Sequence, residues 1–553
     1  MLRKHQREFA EVTDGIIAGS PITDIIVMAT PGAGKSSLPI IAGKLITAGL
    51  ADKICWIAPR MSLQDQAERN FIDPFFRQMF NHTLTIRSST NENNPSRGTH
   101  GFVTTYQALG VDKFSTVLQD FHRYRYILIL DEYHHAEEEG EWTQALTPLY
   151  KAAAYRVLMT GTLARGDKKK IAFTPYRENG DEFVPVLEGS ETTAVIEYTR
   201  QDALADRAII PLAFKFSDGR AKWEVDGEVE RAKISTTDKK KTTAALYTAI
   251  NTEYAYQLMD ACIAHWRKHK ATRPGAKLLI VAAKIDNAKQ YLLHAQRAGL
   301  TARIATSEDN DGAVAAIKEL KAGRIDALVA VAMVYEGLDV PAVSHIACLT
   351  NIRSTPWIMQ MAARAVRIDP MAGPYDTQRA YVFAPADMMF REIAEEIETD
   401  QVAVAAKRNA AEKGEGGATP KGETGDLFGF GPAIRPLESS IIAAGPEPVP
   451  LFPAGDVVNV LPTNSEMEAD LLAKIESHIR TYSFQNRYNP KKINGEVFAS
   501  FGKARRDMTI KELGECLEYV QRNYPLSYRR GTGKRVPTKA RPFPTEWRAA
   551  APF

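Results

Sequence analysis

Ala29-Thr30-Pro31-Gly32-Ala33-Gly34-Lys35-Ser36 follows an apolar run at residues 25–28 and opens a stretch with helical spacing. A strand that turns over glycines into a helix is the context a phosphate cradle requires. Gly32 and Gly34 let backbone amides turn toward phosphate oxygens, Lys35 reaches the β- and γ-phosphates, and the Ser36 hydroxyl is a ligand for Mg²⁺. Thr30, Pro31, Ala33 and Ser37 complete the candidate contact set. The strict pattern begins with glycine, and here Ala29 holds that place. An ordinary strand-to-helix turn is the alternative, and the intact Gly34-Lys35-Ser36 weighs against it.

About 95 residues downstream, the apolar run 127–130 ends in Asp131-Glu132. One carboxylate at a strand end can hold Mg²⁺ while its neighbour polarises the attacking water, the two roles phosphoryl transfer needs. Asp131 takes the first role and Glu132 the second. Gln360, Arg364 and Arg367 are spaced i, i+4, i+7, which predicts one helical face with Met361, Ala362 and Val366 on its buried side. Two guanidiniums aimed alike suit a γ-phosphate reached across a crevice, a device worth roughly 10³–10⁵ in rate in other phosphate-loop enzymes. A solvated basic stripe is the bland alternative.

Strand candidates at 25–28, 54–58, 101–104, 127–130 and 157–160 alternate with helical stretches. Such alternation predicts a parallel sheet covered by helices. After a polar stretch near 217–243 it resumes, with strands expected at 277–283, 301–305, 327–332, 345–350 and 381–384. Two α/β domains follow, at 1–205 and 206–398, with a crevice between them. Residues 399–464 form a Gly/Pro-rich run read as a flexible linker with short docked segments. Residues 465–553 read as a small, mainly helical, basic domain whose last 25 residues are loose.

At 553 residues, 44% hydrophobic and 25% charged, the composition is that of a soluble globular protein. No run of about 18 apolar residues is present, so no membrane span is predicted, and the first residues lack the apolar core of a signal peptide. Four scattered cysteines without a CxxC pair argue against a disulfide framework or zinc site and fit a reducing cytoplasm. Net charge is +3, yet from Tyr519 to Phe553 eight Lys/Arg face one acid, Glu546. A basic tail on a near-neutral body is the footprint of a polyanion partner.

In this order and spacing the motifs resemble those of superfamily 2 helicases and translocases, with the texture of the phage and bacterial branched-DNA and repair helicases (UvsW-like or RadD-like). The resemblance covers about residues 1–398 and implies two tandem RecA-like domains. Leu2-Arg3-Lys4-His5-Gln6 is similar to the adenine-recognition element, which implies base contacts by Gln6 and Arg3. Pro59, Arg60 and Gln66 resemble motif Ia, and Thr104-Thr105-Tyr106 motif Ib, both implying contact with the nucleic-acid strand. Asp131-Glu132-Tyr133-His134 resembles motif II and Thr160-Gly161-Thr162 motif III, so His134, Thr160 and Thr162 are expected to couple hydrolysis to domain movement. Glu336-Gly337-Leu338-Asp339-Val340-Pro341 resembles motif V, implying a nucleic-acid contact at Glu336 and nucleotide contacts at Gly337 and Asp339. Gln360 through Arg367 resembles motif VI. Three departures stand out: Tyr133 for the usual Ala or Cys, Ala363 for Gly, and Tyr335 for a common Thr. None removes a phosphate ligand.

The expected cofactors are ATP and Mg²⁺, and the expected partner is single-stranded or branched DNA in a bacterial or phage-infected cytoplasm. A duplex-DNA translocase serving a separate nuclease, an RNA helicase and a decayed scaffold are the alternatives. Phosphate contacts carry no sequence information, so the motor itself should be sequence-indifferent. Tyr482, Phe484, Tyr488, Phe498, Phe501, Tyr519, Tyr524 and Tyr528 lie among cations in the last domain. They are core aromatics or base-stacking platforms, which leaves a nucleic-acid or protein partner open there. The basic segment 529–535 reads as a phosphate contact.

Overall fold

The computed structural model describes residues 2–60, 62–89, 94–110, 114–163, 169–179, 182–331, 338, 340–411, 435–444 and 463–526. Residues 1–466 form one compact unit and 467–553 another.

In the first unit, β1 (Asp24–Ala29), β2 (Lys53–Ala58), β3 (Arg87–Ser88), β4 (Gly101–Thr105), β5 (Tyr126–Asp131) and β6 (Tyr155–Thr160) precede a hairpin of β7 (Tyr176–Asn179) and β8 (Glu182–Pro185), then β9 (Thr193–Tyr198). Apart from the hairpin they make one parallel sheet in the order β3-β4-β2-β5-β6-β1-β9. The near-continuous apolar runs follow from burial on both faces. Val27, Ile129 and Val157 pack with Phe9, Leu38 and Phe71 on one side, and Ile26, Leu128 and Leu158 with Phe121, Leu146 and Leu149 on the other. Since β6 lies between β1 and β5, the phosphate loop, Asp131-Glu132 and Thr160-Gly161-Thr162 leave the same carboxyl edge side by side. That edge is where open α/β sheets bind ligands.

The second sheet contains β10 (Leu212–Val225), β11 (Glu228–Lys233), β12 (Lys277–Ala282), β13 (Ala302–Ala305), β14 (Ala327–Val331), β15 (Val343–Leu349), β16 (Ala380–Pro385) and β17 (Arg435–Ala444). Its order is β11-β10-β16-β15-β12-β14-β13, and β17 pairs with β10. All pairings are parallel except those of β10 with β11 and β17. The stretch near 217–243, expected only to be polar, holds the outer half of β10 and all of β11. Ala221 and Trp223 are buried against Ala244 and Ala245, while Arg220 and Lys222 face out. This period-2 alternation of charge and apolar groups is invisible to composition.

The residues expected as linker also contribute structure. The helix Met388–Ala411 runs through the expected boundary at 398, and Gln401 bridges to both the amide and the carbonyl of Leu212 (2.6 and 2.9 Å). β17 crosses β10 so closely that a Cβ on Gly219 would lie 2.4 Å from the Ser440 carbonyl and 2.8 Å from the Tyr254 ring. Residues 412–434 and 445–462 of that stretch lie outside the described residues.

The second unit is helical as expected. The helix that begins at Asn464 and the helices Pro490–Phe501 and Ile510–Asn523 close on Ile475, Ile479, Ile493, Val497, Leu513 and Val520. Asn489 caps one helix by accepting from Lys491 N, and Thr509 with Glu512 forms a capping box on the next. Tyr528 and the basic segment 529–535 lie outside the described residues. No described helix is long and apolar enough to cross a membrane.

Candidate nucleotide cleft

The loop after β1 is shaped by two left-handed glycines, Gly32 (φ 83°) and Gly34 (φ 85°), a conformation other residues adopt only under strain. A Cβ at Gly34 would also lie 2.6 Å from Arg3 Nη1. Lys35 begins the first helical turn beyond the loop, nine-tenths buried, and its Nζ meets Glu132 Oε1 at 2.7 Å. Gly161 closes the floor, where a Cβ would come 2.8 Å from Pro31 Cγ and 3.1 Å from Lys35 Nζ.

Glu132 sits just past β5 in the left-handed region (φ 48°). That turn aims its carboxylate back at the sheet edge, where Oε2 accepts from Gly161 N (2.9 Å) and lies 3.4 Å from Thr160 Oγ1. His134 Nδ1 lies 2.8 Å from Thr160 Oγ1 and 3.4 Å from Glu132 Oε2. Thr160 Oγ1 donates to the Thr162 carbonyl at 2.6 Å. Burial and the adjacent Glu132 charge push Asp131 up to about 7. Burial opposes ionisation of Glu132 too, but Lys35 and His134 outweigh it and hold Glu132 well below the usual carboxylate range. Of the two, Glu132 is the carboxylate that stays ionised at neutral pH.

The opposing wall comes from the second sheet. Gln360, Arg364 and Arg367 line one cleft with Gly32, Lys35, Ser36, Asp131 and Glu132, a space of about 310 Å³. The spacing predicted one helical face, and here the structure differs. The helix Thr355–Ala362 ends before the arginines, and Arg364 N and Ala365 N turn back to carbonyls three residues earlier. The Val366 carbonyl instead accepts from Ile210 N at 2.8 Å, drawing the chain out of the helix toward β10. All three side chains still reach the cleft, and Met361, Ala362 and Val366 are buried as expected. Burial pulls the Arg367 guanidinium down to about 10, so it stays a cation at neutral pH. The Cβ position of Gly32 lies 3.5 Å from the Ala363 carbonyl, so the loop and this turn are in contact.

Arg3 and Gln6 brace the loop itself. Arg3 Nη1 donates to the Ala33 carbonyl (2.5 Å), and Gln6 Nε2 to Ser37 Oγ (2.8 Å) and, more weakly, the Gly34 carbonyl (3.4 Å). Ser37, expected to touch nucleotide, is occupied by Gln6 and by its own bond to the Gly34 carbonyl (3.0 Å). Ala33 is fully buried, and Thr30 lines an adjoining crevice of about 340 Å³ with Pro31, Thr162 and Gln360.

Of the residues expected on the nucleic-acid strand, Pro59 and Gln66 line the nucleotide cleft, and Arg60 is half-buried beyond β2. Thr104 and Thr105 are buried, Thr105 Oγ1 accepting from Ala108 N. Tyr106 departs from expectation. It is 1% exposed, stacked on Trp142, and its hydroxyl donates to the Asp131 carbonyl at 2.9 Å. It props the acidic pair and offers no surface to a strand, because the turn after β4 points it under β5. Glu336, Gly337 and Asp339 lie outside the described residues. His135, Leu63 and Pro341 line the cleft unforeseen; for His135, its place beside His134 in the Asp-Glu-Tyr-His-His run was the available signal.

Two parallel-sheet α/β domains thus share one cleft, each supplying a wall. Residues 1–165 match the family described as type III restriction enzyme, res subunit, and residues 257–369 match the helicase conserved C-terminal domain. With these two domains in this order, the chain belongs to the superfamily 2 helicases.

The chain is similar to an uncharacterized protein of Mycobacterium leprae (strain TN), 26% identical over 386 residues, 68% of this chain and 61% of the relative. A Mycobacterium tuberculosis (strain ATCC 25618 / H37Rv) protein is 26% identical over 395 residues, 69% and 62% of the two chains. The chain thus spans about three fifths of these relatives. Over 143 residues it is 31% identical to the UvrABC system protein B of Chlorobium limicola (strain DSM 245 / NBRC 103803 / 6330), 25% of this chain and 19% of that one. Among solved structures it resembles the Mycobacterium smegmatis helicase Lhr bound to ssDNA and AMP-PNP (TM-score 0.44, 14% identity, 74% and 51% covered).

Proposed function

We propose that the chain is a Mg²⁺-dependent ATPase, stimulated by nucleic acid, that translocates on single-stranded or branched DNA in replication, recombination or repair. The observation that carries this reading is the single cleft holding Lys35 and Glu132 from one sheet and Gln360, Arg364 and Arg367 from the other. The cradle fits a nucleoside triphosphate, because the glycines keep side chains out of the loop and the cations outnumber the acids around it.

Ser36 and Asp131 would hold Mg²⁺, which supplies charge neutralisation at the phosphates when bound. Lys35 exchanges its Glu132 partner for phosphate, and Glu132, kept ionised, accepts a proton from water. Arg364 and Arg367 stabilise charge on the transferred group from the second domain, so hydrolysis is tied to the two domains being together. The hydrogen bonds from Glu132 through His134 and Thr160 to Thr162 lead to the crevice that Gln360 shares, a candidate route for coupling. Glu336 and Arg60 are assigned to the strand, and Gly337 and Asp339 to the nucleotide, by resemblance alone.

The test is the steady-state ATPase rate with no polymer, single-stranded, forked and duplex DNA, and RNA, for wild type and Lys35→Ala. Stimulation by single-stranded or forked DNA that vanishes in Lys35→Ala supports the proposal, and a Lys35→Ala rate equal to wild type overturns it. The match of residues 1–165 to a restriction-subunit family favours a second reading, a duplex translocase, which stimulation by duplex alone would select.

A further inference from the structure

The second unit sorts its aromatics into two kinds. Tyr482, Tyr488, Phe501, Tyr519 and Tyr524 pack on its core, whereas Phe484 is 88% and Phe498 55% exposed. Both exposed rings lie in a basic stretch of the unit. Between Arg480 and Arg506 the sequence carries seven Lys/Arg and one acid, Glu496.

On the helix Pro490–Phe501, Lys491, Asn494, Gly495 and Phe498 fall at i, i+3, i+4 and i+7, one continuous face, and all are exposed. Arg505 reaches this face, its Nη2 donating to Asn494 Oδ1 at 3.0 Å. Glu496 points elsewhere, accepting from the hydroxyls of Tyr488 and Tyr524. The one acid of the stretch, though exposed, is thus engaged by two tyrosine hydroxyls. Among the described residues no carboxylate pairs with Arg487, Lys491 or Lys492, while Arg480 and Lys503 are paired with Glu476 and Glu512.

We propose that Phe484, Phe498, Arg487, Lys491 and Lys492, none of which lines the motor cleft, form a binding face for single-stranded nucleic acid. A single exposed phenylalanine is ordinary. Two in a stretch of cations without carboxylate partners, its one acid engaged by tyrosine hydroxyls, give stacking platforms and phosphate contacts together, the combination that holds single strands without reading sequence. Seven cations against one acid favour a polyanion as the partner. The proposal rests on the motor acting on nucleic acid.

The experiment uses the full chain and fluorescein-labelled dT30 and rU30, read by anisotropy across a salt titration. Phe484→Leu/Phe498→Leu keeps the apolar bulk but removes the rings, and should bind about fivefold or more weakly, with the salt slope unchanged. Arg487→Ala/Lys491→Ala/Lys492→Ala should flatten the log–log salt slope by about 2, at roughly 0.7 per phosphate contact on a single strand. Polymer-free ATPase and Tm should stay at wild-type values in both, since neither variant touches the cleft. Whichever of dT30 and rU30 suffers the larger loss identifies the strand preferred. Wild-type affinity and slope in both variants overturn the face and leave a protein partner as its use, while the motor reading survives. A wild type that binds neither oligonucleotide overturns both.

Discussion

Lys35 and Glu132 meet at 2.7 Å at the edge of the cleft, with side chains 10% and 20% exposed. Arg353 and Asp387, in the second domain, form a pair at 2.9 Å with side chains 4% and 0% exposed. The sealed pair is nearly saturated. Arg353 donates to both Asp387 oxygens and to the carbonyls of Thr350 and Ile352, and Asp387 also caps Phe390 N. Lys35 makes one side-chain bond, leaving two ammonium protons for another acceptor. The difference teaches how to tell a working ion pair from a structural one. A buried pair that fills nearly all of its donors and acceptors serves the fold, and one with spare valence on a cleft wall is poised to exchange partners.

Five measurements sharpen or break this distinction. The largest effect is expected from Arg364→Ala, which should lower the nucleic-acid-stimulated ATPase kcat about 10³-fold while Tm stays within about 2 °C. A loss of Tm with intact kcat would move Arg364 to the structural class. Next, Glu132→Gln should cost about 10²–10³ in kcat yet still bind ATP, as fluorescent-nucleotide titration would show. Asp387→Ala inverts the pattern. It leaves Arg353 buried and unpaired, at about 3–5 kcal/mol, a Tm fall of roughly 6–20 °C for a domain of this size, with ATPase per folded molecule preserved.

Two smaller effects test the supports. Gly219→Ala drives a methyl into the Ser440 carbonyl and the Tyr254 ring and should cost about 1–3 kcal/mol by denaturant unfolding. Gln6→Ala removes its bonds to Ser37 and the Gly34 carbonyl and should raise the KM for ATP about fivefold with kcat little changed. An unaltered KM would mean that Arg3 alone steadies the loop.

Much of the cleft was legible before the fold was seen, for a local reason. A phosphate loop needs glycines where φ is positive and a lysine one residue beyond, all within eight consecutive residues. The acidic pair was legible because an apolar run so plainly ends there. The limits were just as physical. Tyr106 sits in a motif whose resemblance implies nucleic-acid contact, yet burial beneath β5 spends its hydroxyl on the Asp131 carbonyl. Periodicity put Arg364 and Arg367 on a helix, and a backbone bond from Ile210, more than 150 residues away, helps unwind them from it. β17 escaped because it lies in a Gly/Pro-rich context and gains its partners only from β10.

The order of the motifs, the two parallel sheets and the chemistry of the cradle were determined by the sequence itself, since each depends on residues adjacent in the chain. Tertiary structure alone decided that the two halves of the cleft face one another. It also decided which carboxylate stays ionised, which ion pair is permanent and which aromatics of the second unit remain bare. These depend on burial and on fields from groups far apart in the chain, and neither composition nor local periodicity encodes how chain segments hundreds of residues apart share a core.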